Sequence, residues 1–182
     1  GVPGHHLQLG TWASRAGELS RFQVSVGSVS ATTEGWALYA ERLMDELGHL
    51  RTPGERLGYL DSQRMRAVRV IIDIGMHLGL TIPAGAPGVD PGLAGRRWDA
   101  ELGREFFAAR SGLPAEFIAS EIERYLGWPG QAISYKLGER AWRAGRAAAE
   151  ARPGFDLKAW HNAALRLGSL GLADLERELS AL

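Results

Sequence analysis

The stretch Thr32–Gly48, "TTEGWALYAERLMDELG", decides how the rest of this sequence is read. Trp36, Tyr39, Ala40, Leu43 and Leu47 recur at three- and four-residue spacings. That spacing lines one face of an α-helix. Thr32 or Thr33 is suited to capping its start and Gly48 to ending it. A second stripe follows in "ERLGYLDSQRMRAVRVIIDIGMH", residues 55–77, apolar at Leu57, Leu60, Val68, Ile71, Ile72 and Met76. Two long amphipathic helices near the start predict a mainly α fold.

The remaining segments agree. "LTIPAGAPGVDPGLAG" holds three prolines and four glycines and predicts a loop over 81–95, of a length that tends to be functional or mobile. Helical segments are expected over 99–110, 114–126, 131–151, 156–167 and 172–180. Only "RFQVSVGSV" alternates, with Phe22, Val24 and Val26 on one face, which predicts at most one short strand or hairpin near residues 21–30. The expected organisation is a single helical domain over 1–182.

Composition narrows the function classes. Across 182 residues, 21 Lys and Arg balance 21 Asp and Glu, so no global field draws the chain to nucleic acid or an anionic membrane. Without cysteine there are neither disulfides nor thiolate metal ligands. No apolar run reaches the length of a membrane span. The compartment is left open.

Polar residues on the apolar stripes are the candidates for chemistry. His5 and His6 follow a Pro-Gly pair. Glu34 stands in the first turn of its helix, where a carboxylate either complements the helix dipole or is held rigidly as a metal ligand. Glu41, seven residues on, shares its face. Asp73 precedes His77 by one turn and Arg69 precedes Asp73 by another. An aspartate so placed accepts a histidine ring proton and fixes the tautomer, and the same spacing builds a plain Arg–Asp–His ladder. Gln131 and Tyr135 are again four apart, and a tyrosine hydroxyl suits an oxyanion. His49 and His161 read as structural.

In order, "PGHHLQ", "TEGWALYAERLMDELG", "SQRMRAVRVIIDIGMH", "EIERYLGWPGQAISYKLG" and "FDLKAWHNAALRLGSL" resemble bacterial proteins of the domain of unknown function 885 family, whose members look like zincin-type metallopeptidases. The resemblance implies a helical zincin-like catalytic-domain fragment, the C-terminal part of a larger protein. The family motif reads His-Glu-x-x-Pro-Gly-His, with Gly1 and Val2 at its variable positions and His5 closing it. The preceding His-Glu, one zinc ligand and the general base, would lie upstream. His5 and Glu34 would then be zinc ligands; the helical argument alone does not choose between His5 and His6. Tyr135 and His77 would stabilise an oxyanion. His6, Glu41, Arg69, Asp73 and Gln131 would hold substrate or brace the site.

The expected function is zinc-assisted hydrolysis of a peptide substrate, with little activity from this chain alone. The rival expectations are a non-enzymatic helical binding domain and a zinc hydrolase of non-peptide amides or esters. A fragment of this kind would expose apolar helix faces, so a homo-oligomer is also expected.

Overall fold

The computed structural model of the chain describes residues 2–25 and 27–182. Gly1, at a variable position of the expected family motif, and Val26, third residue of the expected strand face, lie outside the described residues. Nine α-helices account for most of the described chain. They are α1 (Leu7–Ser14), α2 (Arg21–Ser25), α3 (Ser30–Glu46), α4 (Pro53–Leu78), α5 (Ala100–Ala108), α6 (Ala115–Gly127), α7 (Gln131–Glu150), α8 (Leu157–Arg166) and α9 (Leu172–Ala181). A π-helical turn, Val2–His6, leads into α1. Among the described residues, β-structure is confined to one antiparallel bridge between Thr81 and Arg97. The mainly α fold is as the stripes predict.

The chain forms two compact units: Gly1–Thr52 with Ser134–Leu182, and Pro53–Ile133. The first has an aromatic core of Trp36, Tyr39, Trp142 and Trp160, completed by Leu43, Leu165, Leu175 and Leu179. Trp36 and Trp142 lie 4.9 Å apart, centroid to centroid, close enough for the aromatic quadrupoles to add to area burial. The second unit is built on Val68, Ile72, Leu102, Phe106, Phe107, Ile118, Ile122 and Tyr125. Its 81–95 segment is pinned from both ends, since Ile82 and Leu93 are buried in the same core.

Local chemistry explains the helix limits. Asp99 and Asp156 cap α5 and α8 by accepting the amides of Leu102, at 2.8 Å, and Ala159, at 2.6 Å. Gly48, with φ +76°, ends α3 where an L side chain would be strained. The start of α3 differs from expectation: it begins at Ser30, and Thr32 turns its hydroxyl to the Leu170 carbonyl instead of capping. Leu47, Leu57, Leu60 and Ile71 are exposed, whereas Val68, Ile72 and Asp73 form the buried face of α4.

The expected strand over 21–30 is replaced by α2. Ser20 and Gln23 form a reciprocal capping box: the Ser20 amide donates to Gln23 Oε1 at 3.1 Å, and the Gln23 amide donates to Ser20 Oγ at 3.3 Å. The box supplies local partners for backbone donors, while an isolated strand would have none in the absence of a neighbouring strand.

A buried polar lock joins α3, α7 and α8 in the first unit. Tyr39 Oη and His161 Nε2 are 2.7 Å apart, and Arg146 donates to the same hydroxyl at 3.3 Å. Burial, reinforced by the Arg146 charge, pushes His161 down to about 4. Burial pushes the Tyr39 hydroxyl up to about 12, so it stays protonated and donates to the neutral ring. Between pH 6.5 and 4 the unfolded chain therefore binds a proton that the folded chain does not. Stability is full above pH 6.5 and falls as pH drops toward 4, by about 2 kcal/mol once solvent screening of the partly buried ring is allowed for. Thermal unfolding of His161→Gln followed over this range should show a shallower acid decline than the wild type. Equal slopes would overturn the assignment to His161.

Candidate metal centre

The Pro-Gly pair sets the position of His5. Gly4 breaks the helical path with φ −82° and ψ −121°, and the carbonyls of Pro3 and Gly4 both accept from the indole N–H of Trp36 at 3.0 Å. Trp36 is itself 2% exposed in the aromatic core. One buried indole thus fastens the turn that carries His5 to the helix that carries Glu34. The result is a contact between residues 29 apart in the chain: His5 Nε2 lies 3.1 Å from Glu34 Oε2.

The other side of α3 is fixed by the absence of side chains. A Cβ built on Gly35 would stand 2.5 Å from Gly138 Cα, and one built on Gly138 would stand 2.0 Å from the Ala31 carbonyl oxygen. The backbones of α3 and α7 therefore touch at the residue next to Glu34. Tyr135 lies one turn before Gly138 on α7 and is half-buried. Glu41 lies two turns beyond Glu34 on α3, also half-buried. His6 is exposed and shares with His5, Val2, Leu9, Gly10 and Ala13 an open groove of about 830 Å³.

The remaining candidates belong to the second unit. Asp73 is almost fully enclosed; its Oδ1 lies 2.8 Å from His77 Nδ1, and its Oδ2 accepts the Gly130 amide at 3.1 Å. Burial raises the Asp73 carboxyl, against the opposing pull of His77 and the backbone amides of Gly130 and Ile133. Arg69 pairs with Glu121, which also takes the Tyr125 hydroxyl at 2.8 Å and the Arg124 guanidinium at 2.9 Å. Burial raises the Glu121 carboxyl, but Arg124, Arg69 and Tyr125 together hold it below the usual range. Arg124 also donates to the Gln131 side-chain oxygen. The polar stripe of α4 therefore extends beyond a simple ladder, reaching α6 through Arg69 and the turn before α7 through Asp73.

Among the described residues, no cluster of three or more His, Cys, Asp or Glu is present; His5 and Glu34 form a pair. That pair suits zinc chemically. With zinc–nitrogen and zinc–oxygen bonds of about 2.0–2.1 Å, adjacent tetrahedral ligands stand about 3.3 Å apart. The observed 3.1 Å between Nε2 and Oε2 is close to that edge. His5 Nδ1, the nitrogen facing away from Glu34, is enclosed and without a hydrogen-bond partner.

Apolar spacing carries no sign of the buried Gln8, of the anchoring role of Trp36, or of the Gly35–Gly138 contact. Gly35 and Gly138 were visible as small residues inside helices, where glycine costs stability unless close approach requires it.

The model of DUF885, a bacterial protein family of unknown function, matches residues 1–179. A candidate lipoprotein from Colwellia psychrerythraea, known from its crystal structure, superposes with a TM-score of 0.80 at 34% identity. The superposition covers 100% of this chain and 28% of that one, so the chain spans little more than a quarter of that relative's length. No curated protein matches.

Proposed function

Since this chain belongs to DUF885, the bacterial family of unknown function, we propose from its own geometry that it supplies part of the centre of a zinc-dependent peptidase. The observation that carries this is the convergence of His5 Nε2 and Glu34 Oε2, at 3.1 Å, from elements 29 residues apart. Zinc held there would supply Lewis acidity and acidify a water to a pKa of about 7.

His5 offers an imidazole nitrogen and Glu34 a carboxylate, two donor types that hydrolytic zinc combines. A third protein ligand completes such a set. Trp36 and the Gly35–Gly138 contact hold both donors on rigid backbone, so little reorganisation accompanies binding. Tyr135, on the helix that α3 touches, is the candidate to donate its hydroxyl to the carbonyl oxygen of a substrate as charge develops on it. His6 lines the adjoining groove, where a peptide segment would lie.

Two measurements test the proposal. Coding DNA read in frame directly upstream of Gly1 should specify His-Glu, completing the ligands and adding a general base. The full-length protein should then purify with one equivalent of zinc and hydrolyse peptides. Lack of the His-Glu pair together with lack of zinc sinks the proposal and favours a helical binding domain. Zinc retention with turnover confined to esters or non-peptide amides would keep the metal and replace the substrate.

A further inference from the structure

Helix α4 carries two apolar faces, and the core of its own unit uses one of them. Met65, Val68, Ile72 and Met76 pack into that core. About a third of a turn away, a second stripe runs along the helix: Leu57, Leu60, Ala67, Ile71, Ile74 and Leu78, with Arg64 completing the series. Leu57 and Leu78 are each 68% exposed, Leu60 54% and Ile71 47%. Arg64 and Ala67 are exposed as well, and Ile74 is half-buried. From Pro53 to Ala67 no residue of the helix is buried. A helix that packs on one side is ordinarily polar on the other, and this one is not.

The spacing defines the kind of partner. Steps of three and four residues alternate without a break from Leu57 to Leu78, a repeat of about 3.5 residues per turn in place of 3.6. Kept over three heptads, about 32 Å of helix, that repeat lets a second helix follow the seam with its side chains set as knobs into holes.

The residue types define which helix. In an antiparallel pair of copies, with Arg64 set opposite Ala67 of the second copy, Leu60 meets Ile71 and Leu57 meets Ile74. Twofold symmetry then repeats every pair. Large side chains face large ones, and the long charged side chain faces a small one. Its stem can lie over Ala67 while the guanidinium stays at the edge of the seam, where Asp61 of its own chain already pairs with it at 2.8 Å. A parallel pair would set the two Arg64 charges against each other in the middle of the apolar seam.

We propose that this stripe of α4 is a homodimer interface, on which a second copy of the chain packs antiparallel. The proposal stands apart from the metal reading. Three heptads bury on the order of 1,200 Å² between two helices, the lower end of specific interfaces, so the dimer is reversible.

Sedimentation equilibrium of the concentrated chain should give twice the 19.7 kDa of one copy, falling toward one copy on dilution. Leu60→Glu and Ile71→Lys alter exposed residues, so each variant should melt as the wild type does. Each should associate at least about tenfold more weakly, because a charge is left unpaired in the seam. Mixed in equal amounts the two variants should dimerise again, since the antiparallel register sets the new carboxylate of one against the new ammonium of the other. A wild type that stays monomeric when concentrated overturns the proposal, as does a dimer that neither substitution weakens. A mixture that remains monomeric overturns the antiparallel pairing. Dimerisation of the 182-residue chain but not of the full-length protein would assign the seam to a helix of the same polypeptide and overturn the second copy as its occupant.

Discussion

Gly138→Ala should destabilise the protein by about 3 kcal/mol or prevent it from folding, the upper end of what overpacking costs. The added Cβ would sit 2.0 Å from the Ala31 carbonyl oxygen and 2.6 Å from Gly35 Cα. Both obstacles are backbone, so no side-chain rotation relieves them, and α3 and α7 must separate. Helix propensity works in the opposite direction, favouring alanine by about 1 kcal/mol, and is outweighed. Gly58→Ala in α4 is the control: nothing lies within 4 Å of its added Cβ, so propensity alone should leave it equal to the wild type or slightly more stable. Urea unfolding midpoints compare the two. A Gly138→Ala protein as stable as the control would show that the helices do not touch here. Any folded fraction should also hold zinc poorly, because Glu34 adjoins Gly35 and moves with α3.

Glu34→Gln should have the opposite profile, with the fold kept and the metal lost. The substitution preserves shape and removes the charge. The lost contact with His5 involves a ring whose side chain is 43% exposed, and an ion pair of that kind contributes about 1 kcal/mol or less. A neutral amide oxygen is a much weaker zinc donor than a carboxylate, so zinc retention in the full-length protein should fall at least about 100-fold, and hydrolysis with it. Zinc content after gel filtration, beside a circular dichroism melt, reads both quantities. Unchanged zinc content would remove Glu34 from the ligand set. Loss of zinc together with the fold would mean that Glu34 acts through stability.

The helices most legible in the sequence were the long ones. In α3 and α4 apolar residues recur often enough to establish the 3.6-residue period, and at Gly48, Asp99 and Asp156 the side chain, or its absence, acts on the residue's own backbone neighbourhood. Short segments were harder. In α2, Phe22 and Val24 alternate like a strand, yet both are exposed and no partner strand supports them. The deciding signal was the Ser20–Gln23 box, which is polar and outside the apolar pattern. The helix α1, on which Gln8 lies, was missed because about two turns of apolar spacing carry little information.

His5 and Glu34 were candidates by residue type, and the family resemblance singled them out as a pair before any geometry. What sequence by itself determined is local: which segments coil, where they stop, and which faces are apolar. Tertiary structure alone decided that His5 meets Glu34, that one indole N–H anchors the Pro-Gly turn, and that α3 and α7 touch at two glycines. The physical reason is that periodicity specifies a face without specifying its partner. A contact made by two residues without side chains has no hydrophobic signature at all.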